Sequence, residues 1–222
     1  IPLMYDKSWV QSSLERKLLN EFKINLSTSA DISYRILPAP HFLIRDSKII
    51  INKGEKKNSI AEIKNFKVFL SQAKFFDRDQ MNINKIIIDN ANFKLIKNNL
   101  KLLKNFRNTD FSEKKIKIIN SKIFFKNNLK EVITIITIEK GGLFFDDKKL
   151  LNLFNLKGRI FNMPYKLNFL SNNKDKGYEE MNFSSKSLKL NIFNKTFAKK
   201  NDVTTGENII LFLNNKINTK YN

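Results

Sequence analysis

The chain has 222 residues, 41% of them hydrophobic, with 20 phenylalanines and no cysteine. That balance excludes intrinsic disorder, disulfide frameworks and thiol catalysis. A formal charge of +20 invites nucleic acid or an anionic membrane as partner, because Lys and Arg neutralise phosphate. The lysines are dispersed, however: Lys64 and Lys67, Lys94 and Lys97, Lys115 and Lys117, Lys186 and Lys189 alternate with apolar residues in predicted strands. They read as a solvated strand face.

Ile1-Pro2-Leu3-Met4-Tyr5 has the character of the end of an apolar segment, yet no stretch is long enough to span a bilayer; an anchor is expected upstream. Ser8-Trp9-Val10-Gln11 has the form of a capping box, with Gln11 placed to reach back to Ser8. Val10, Leu14, Leu18 and Phe22 follow at every fourth residue, joined by Leu19, and predict a helix over Ser8 to Phe22 with one apolar stripe. The stripe either plugs one end of a β core or, with Trp9, lies on a membrane surface. Residues 1–23 are expected to form an N-terminal membrane-proximal helix, and 24–222 a curved antiparallel β domain.

After Lys23 the period changes to two. Ile32 to Leu37 and Phe42 to Asp46 are predicted strands joined by a corner, where Pro38 and Pro40 fix φ and remove ladder donors. His41 is the single histidine and is expected to be structural. Further strands are predicted at Lys48 to Asn52, Ala61 to Ser71, Asn84 to Asn90, Asn92 to Lys97, Ile116 to Asn120, Lys122 to Lys126 and Val132 to Glu139. The series continues at Leu156 to Phe161, Tyr165 to Leu170, Met181 to Ser185, Leu188 to Phe193 and Ile209 to Leu213. Turns are expected at Asn52-Lys53-Gly54, Asn127-Asn128, Lys140-Gly141-Gly142 and Asn172 to Gly177, and helical interruptions at Leu100 to Phe106 and Lys148 to Phe154. The end of the chain reads as a hairpin about Asn214-Asn215 that is expected to continue into more sheet.

Three segments share one pattern: Ile44 to Ile51, Ile88 to Leu95 and Ile118 to Phe125. Each has an apolar residue, a spacer, Asp or Asn, a small residue, a spacer, and apolar residues at alternate positions. An Asx residue tolerates left-handed geometry and the small residue clears space, so each unit bends a strand at one point. Three such bends predict successive strands crossing one bend line of a curved sheet. The fold expected is mainly β: an elongated, curved antiparallel sheet with a gutter-like groove and a short N-terminal amphipathic helix. Phe93, Leu95, Ile123 and Phe125 should share its concave face, as a closed core or as the lining of an open groove.

No catalytic constellation is present. Asp77-Arg78-Asp79 lacks the glycine and glutamate of a calcium loop, and Asp146-Asp147 and Glu179-Glu180 are adjacent pairs that point to opposite strand faces. A P-loop, G-x-S-x-G and H-E-x-x-H are all absent. No enzyme activity, metal or cofactor is expected.

Helix, strand, the corner Leu37-Pro38-Ala39-Pro40 and a long run of strands, in that order, resemble the N-terminal region of the AsmA-like family of bacterial envelope proteins. The resemblance implies a periplasmic protein anchored to the inner membrane that acts in outer-membrane biogenesis. It also implies a gutter, similar to that of TamB-like and chorein-type proteins, through which phospholipid acyl chains move. Two other readings stay open: a β-rich envelope scaffold that binds partner proteins through a strand edge, and a basic nucleic-acid-binding protein, for which exposed aromatics should cluster with the lysines.

Overall fold

A computed structural model describes residues 7–27, 31–53, 56–71, 82–96, 110–172, 177–197 and 205–221. Helix α1 (Lys7–Phe22) precedes β1 (Leu26–Ser27), β2 (Ile32–Arg35), β3 (His41–Lys53), β4 (Lys56–Leu70), β5 (Ile83–Ile96) and β6 (Ile116–Lys126). Then follow β7 (Val132–Asp146), β8 (Leu151–Ile160), β9 (Met163–Asn172), β10 (Tyr178–Ser185), β11 (Leu190–Phe197), β12 (Gly206–Phe212) and β13 (Asn215–Tyr221). All strands belong to one curved, unclosed sheet in which β3 to β13 lie in sequence order. β1 and β2 both pair with β3, covering different lengths of the same edge. Neighbours are antiparallel throughout except β5 and β6, which run parallel and are joined through residues 97–115, as a parallel pair requires a crossover.

The apolar stripe of α1 is buried as its spacing predicts: Val10, Leu14, Leu18 and Phe22 join one core cluster with Phe42, Ile44, Phe66, Val68, Ile86, Ile88, Ile116 and Ile118 of β3 to β6. Leu19, expected to join the stripe, is instead 49% exposed, since it lies 100° round the helix from Leu18. Gln11 donates forward to Glu15 Oε1 at 3.1 Å instead of turning back to Ser8, and the helix begins one residue earlier than expected. Its C-terminus is a left-handed cap: Lys23 has φ 56° and its N–H donates to Leu19 O, while Ile24 N–H donates to Leu18 O. Lys114 Nζ then ties Glu21 Oε2 (2.8 Å) and Asn82 Oδ1 (3.2 Å) together, pinning the helix end to the start of β5.

The bend units account for the sheet's curvature. Asp46, Asn90 and Asn120 have φ of 49°, 60° and 50°, and their strands β3, β5 and β6 all run in the same direction. In β4, Lys64 lies opposite both Asp46 and Asn90, and crosses the same line without a left-handed residue. Each bend shifts the alternation by one: in β5, Ile86 and Ile88 are buried before Asn90, and Ala91 after it. Strict alternation from Ile88 would have turned Asn90 and Asn92 into the core. At the parallel pair the line also interrupts the ladder, and Ser121 repairs it. Its Oγ accepts from Ala91 N–H (3.0 Å) and donates to Ile119 O (2.7 Å). Ser47, in the corresponding position of β3, is buried with its hydroxyl unpartnered.

These two serines should therefore respond oppositely. Ser121→Ala is expected to cost about 1–2 kcal/mol by orphaning the Ala91 N–H, whereas Ser47→Ala should be neutral or stabilise by up to about 1 kcal/mol. Urea midpoints of the two variants measure the difference, and equal shifts would contradict the hydrogen-bond assignment.

Several elements differ from expectation, each through long-range pairing. Lys140-Gly141-Gly142 is not a turn but the interior of β7; a Cβ on Gly141 would stand 2.7 Å from Leu156 Cδ2, so the glycine serves close packing. Lys148 to Phe154 is not helical. Asp147 to Leu150 turn, Asp146 Oδ1 accepts from Lys149 N–H (3.2 Å), and β8 follows in register with β7 and β9. The expected strand over Ile32 to Leu37 ends at Arg35, leaving Ile36 and Leu37 exposed in the corner with Pro38. Lys186 and Lys189 lie in the β10–β11 turn rather than in a strand, and the last hairpin turns on Leu213-Asn214. Leu100 to Phe106 and Asp77-Arg78-Asp79 lie outside the described residues.

Candidate apolar groove

The sheet's register places one residue from each of β3 to β13 on a single cross-strand row: Ile44, Phe66, Ile88 and Ile118, then Gly141, Leu156, Leu167 and Phe183, then Ile192, Ile210 and Ile217. Every side chain in it is apolar, and the one glycine is overlain by Leu156. Strands are spaced by about 4.8 Å, so the stripe runs for roughly 48 Å across the strands, along the long direction of the sheet.

Coverage changes along the stripe. Ile44 and Phe66 are fully buried beneath α1, and Ile88, Ile118 and Leu156 nearly so. Leu167, Phe183, Ile192 and Ile210 are only half-buried, and Ile217 is 55% exposed. The stripe is thus sealed at the helix end and open from β9 to β13, about 19 Å by strand spacing. One acyl chain reaches across half of a ~30 Å hydrocarbon core, about 15 Å, so the open length matches one such chain.

Polar groups border the open part. On the row that leads to Met181, Asn194 and Asn208 join through Asn194 Nδ2 and Asn208 Oδ1 (2.7 Å), and Asn208 Nδ2 donates to Thr219 Oγ1 (3.3 Å). Asn194 also donates to Tyr221 Oη at 3.1 Å, and Thr196 Oγ1 lies 2.7 Å from the same phenol. On the other side, Tyr165 is buried, stacks on Phe183 with centroids 5.8 Å apart and donates to Thr137 O (3.3 Å). Burial, aided by the Glu139 charge, pushes the Tyr165 phenol up to about 12, so it stays neutral and caps the row of Gly158 and Ser185.

The four residues singled out from sequence also lie together. Phe93 pairs with Ile123 and Leu95 with Phe125 in the parallel register, on the helix-bearing face beyond the bend line. All four are half-buried, and Phe93 and Ile123 pack against the core cluster. They extend the apolar face beside the stripe rather than forming it. The stripe itself had no local signature, because its members come from separate strands and meet only through register.

Three lysines of the opposite face are paired with acids on the neighbouring strands. Lys67 Nζ stands 3.2 Å from Asp89, Lys94 Nζ 2.6 Å from Glu62 and Lys195 Nζ 2.7 Å from Glu180. The hydrogen bond that Lys94 donates holds the Glu62 carboxyl below the usual carboxylate range, and the one that Lys195 donates to Glu180 pushes the Lys195 ammonium up. Glu180 thus faces away from its neighbour Glu179. His41 opens β3, with Nδ1 2.7 Å from Ala39 O and its ring stacked 4.7 Å from Phe69, the structural place expected of it. Pro38 and Pro40 lie in the corner beside it, where Pro40 O accepts from Leu70 N–H (3.1 Å). Among the described residues no three His, Asp or Glu side chains converge as metal ligands, and none of the helices is long and apolar enough to cross a membrane. The sequence profile of no known family, and no curated protein, matches the chain.

Proposed function

We propose that the protein carries or guides phospholipid acyl chains along the apolar stripe, as a periplasmic component of outer-membrane biogenesis held at the inner membrane by an upstream anchor. The observation that carries this reading is the unbroken cross-strand row from Ile44 to Ile217, covered at one end and open at the other. A closed core needs no row that stays apolar where the second layer stops. Burial of methylenes at about 0.8 kcal/mol each makes a fatty-acid-length chain worth on the order of 10 kcal/mol, sufficient to offset leaving a bilayer. Such a carrier needs no catalytic residue, metal or cofactor. A scaffold that binds proteins through a strand edge is the alternative.

Photo-crosslinkers at Phe183, Ile192, Phe93 and Phe125 should label co-purifying phospholipid, whereas Lys94 and Lys195 on the opposite face should not. Phe183→Asp and Ile192→Asp should abolish retention by placing a charge where an acyl chain lies. Equal labelling on both faces, or a lipid-free protein, would defeat the carrier reading.

A further inference from the structure

A second apolar surface lies on the opposite face of the sheet, at the end where β6 turns into β7 and β8 into β9. β8 stops at Ile160, opposite Ile136, so Val132 to Ile135 overhang it with β6 as their partner. The step so formed is an open depression bounded by Lys122, Val132 to Ile135, Arg159 and Phe161. Phe161 is 70% exposed, Ile133 55%, and Leu129 in the adjoining β6–β7 loop 79%. Three large apolar side chains on two neighbouring loops and an overhanging strand contribute little to the fold.

Backbone geometry makes Phe161 still less economical. Phe161 and Asn162 form a two-residue turn with φ of 49° and 64°, a conformation that favours Asn-Gly and opposes a bulky residue. Leu150 and Leu213 are left-handed and exposed as well, but only Phe161 borders the apolar step with Ile133 and Ile135 beside it. The charge around the step indicates its partner. Lys122 and Arg159 line the step, Lys126, Lys130 and Lys157 stand in the strands and loop next to it, and the acids nearby are Glu131, Glu139 and, within reach of Lys126, Glu62. Glu139 is already shared by Arg159 (3.2 Å) and Lys157 (3.8 Å), and Glu131 accepts from Asn127 Nδ2 (2.7 Å). Protruding apolar tips in a ring of excess cations match the interface of an anionic bilayer, with the tips entering the acyl boundary and the lysines meeting headgroups. A peptide strand fits less well, because one added beside Val132 to Ile135 would run into the Phe161 turn.

We infer that this end of the sheet docks on an anionic lipid bilayer through Leu129, Ile133 and Phe161. The docking stands apart from the apolar stripe, which lies on the other face. The full chain should bind phosphatidylcholine vesicles containing about one-third phosphatidylglycerol, and bind pure phosphatidylcholine far more weakly. Phe161→Asn with Leu129→Ser changes no charge and places a favoured residue in the turn. It should weaken binding to the anionic vesicles by about tenfold or more, with crosslinking at Phe183 unchanged. Leu150→Asn, at the exposed left-handed β7–β8 turn on the opposite end of the sheet, should leave binding intact. Because the chain has no cysteine, a fluorophore at Asn162→Cys gives a direct reading: its emission should shift to the blue on anionic vesicles, and one at Lys220→Cys should not. Undiminished binding by the double variant, equal binding to pure phosphatidylcholine, or a change in the variant's oligomeric state without a change in vesicle binding would each overturn the inference.

Discussion

Gly158→Ala should destabilise the protein by about 3 kcal/mol or more. The added Cβ would fall on the Thr137 carbonyl oxygen, and also stand 2.8 Å from Thr137 C and 3.1 Å from Ile138 Cα. These are backbone atoms of the neighbouring strand, which cannot rotate aside as a side chain can. Gly158 sits where the β7–β8 register shifts between Ile138 and Lys140, so the strands approach closely at a bulge. Forcing them apart would also strain Arg159 N–H to Thr137 Oγ1 (3.0 Å) and Tyr165 Oη to Thr137 O (3.3 Å). Gly142→Ala is the control: its new Cβ would meet only Lys115 Cε at 3.3 Å and Ile116 O at 3.7 Å, and a flexible lysine can yield. It should lie within about 1 kcal/mol of the parent. Similar urea midpoints for the two variants would exclude the bulge.

Phe66→Ala and Phe183→Ala remove the same side chain from the same stripe, and should differ several-fold in cost. Phe66 is fully buried under α1, so its loss leaves a cavity and should cost about 3–5 kcal/mol. Phe183 is half-buried, with its ring stacked on Tyr165; truncation there exposes a surface that water already reaches, at a cost of about 1–2 kcal/mol. The contrast tests the division of the stripe into sealed and open lengths by stability alone, without reference to any ligand. If Phe183→Ala proved as costly as Phe66→Ala, a second layer would have to cover β10, and the groove would be a closed core.

Sequence alone determined the elements whose cause is local. Alternation marked most strands, the four-residue spacing from Val10 to Phe22 marked the helix, and the prolines marked the corner. The bends at Asp46, Asn90 and Asn120 were also legible, since an Asx residue followed by a small one encodes both the left-handed backbone and the shift in alternation. Phe93, Leu95, Ile123 and Phe125 could be placed on one face because they stand at equal distances from equivalent bends. Because strand pairing continues through a bend although the alternation shifts there, pairs of predicted strands proved to be single long ones, as in β3, β5 and β6.

What depends on partners distant in sequence was decided only by the tertiary structure. Gly141 and Gly142 resemble a turn until Leu156 is seen packed on the first of them. Lys148 to Phe154 has helical spacing, but two flanking strands in register offer its backbone a full ladder, and pairing outweighs weak local preference. The parallel β5–β6 pair depends on a crossover path that leaves no mark in either strand. The apolar stripe is the extreme case: each of its residues is one ordinary inward position of its own strand. Only the register, summed over the sheet from β3 to β13, aligns them into a continuous row, because hydrogen-bonded neighbours must share a face.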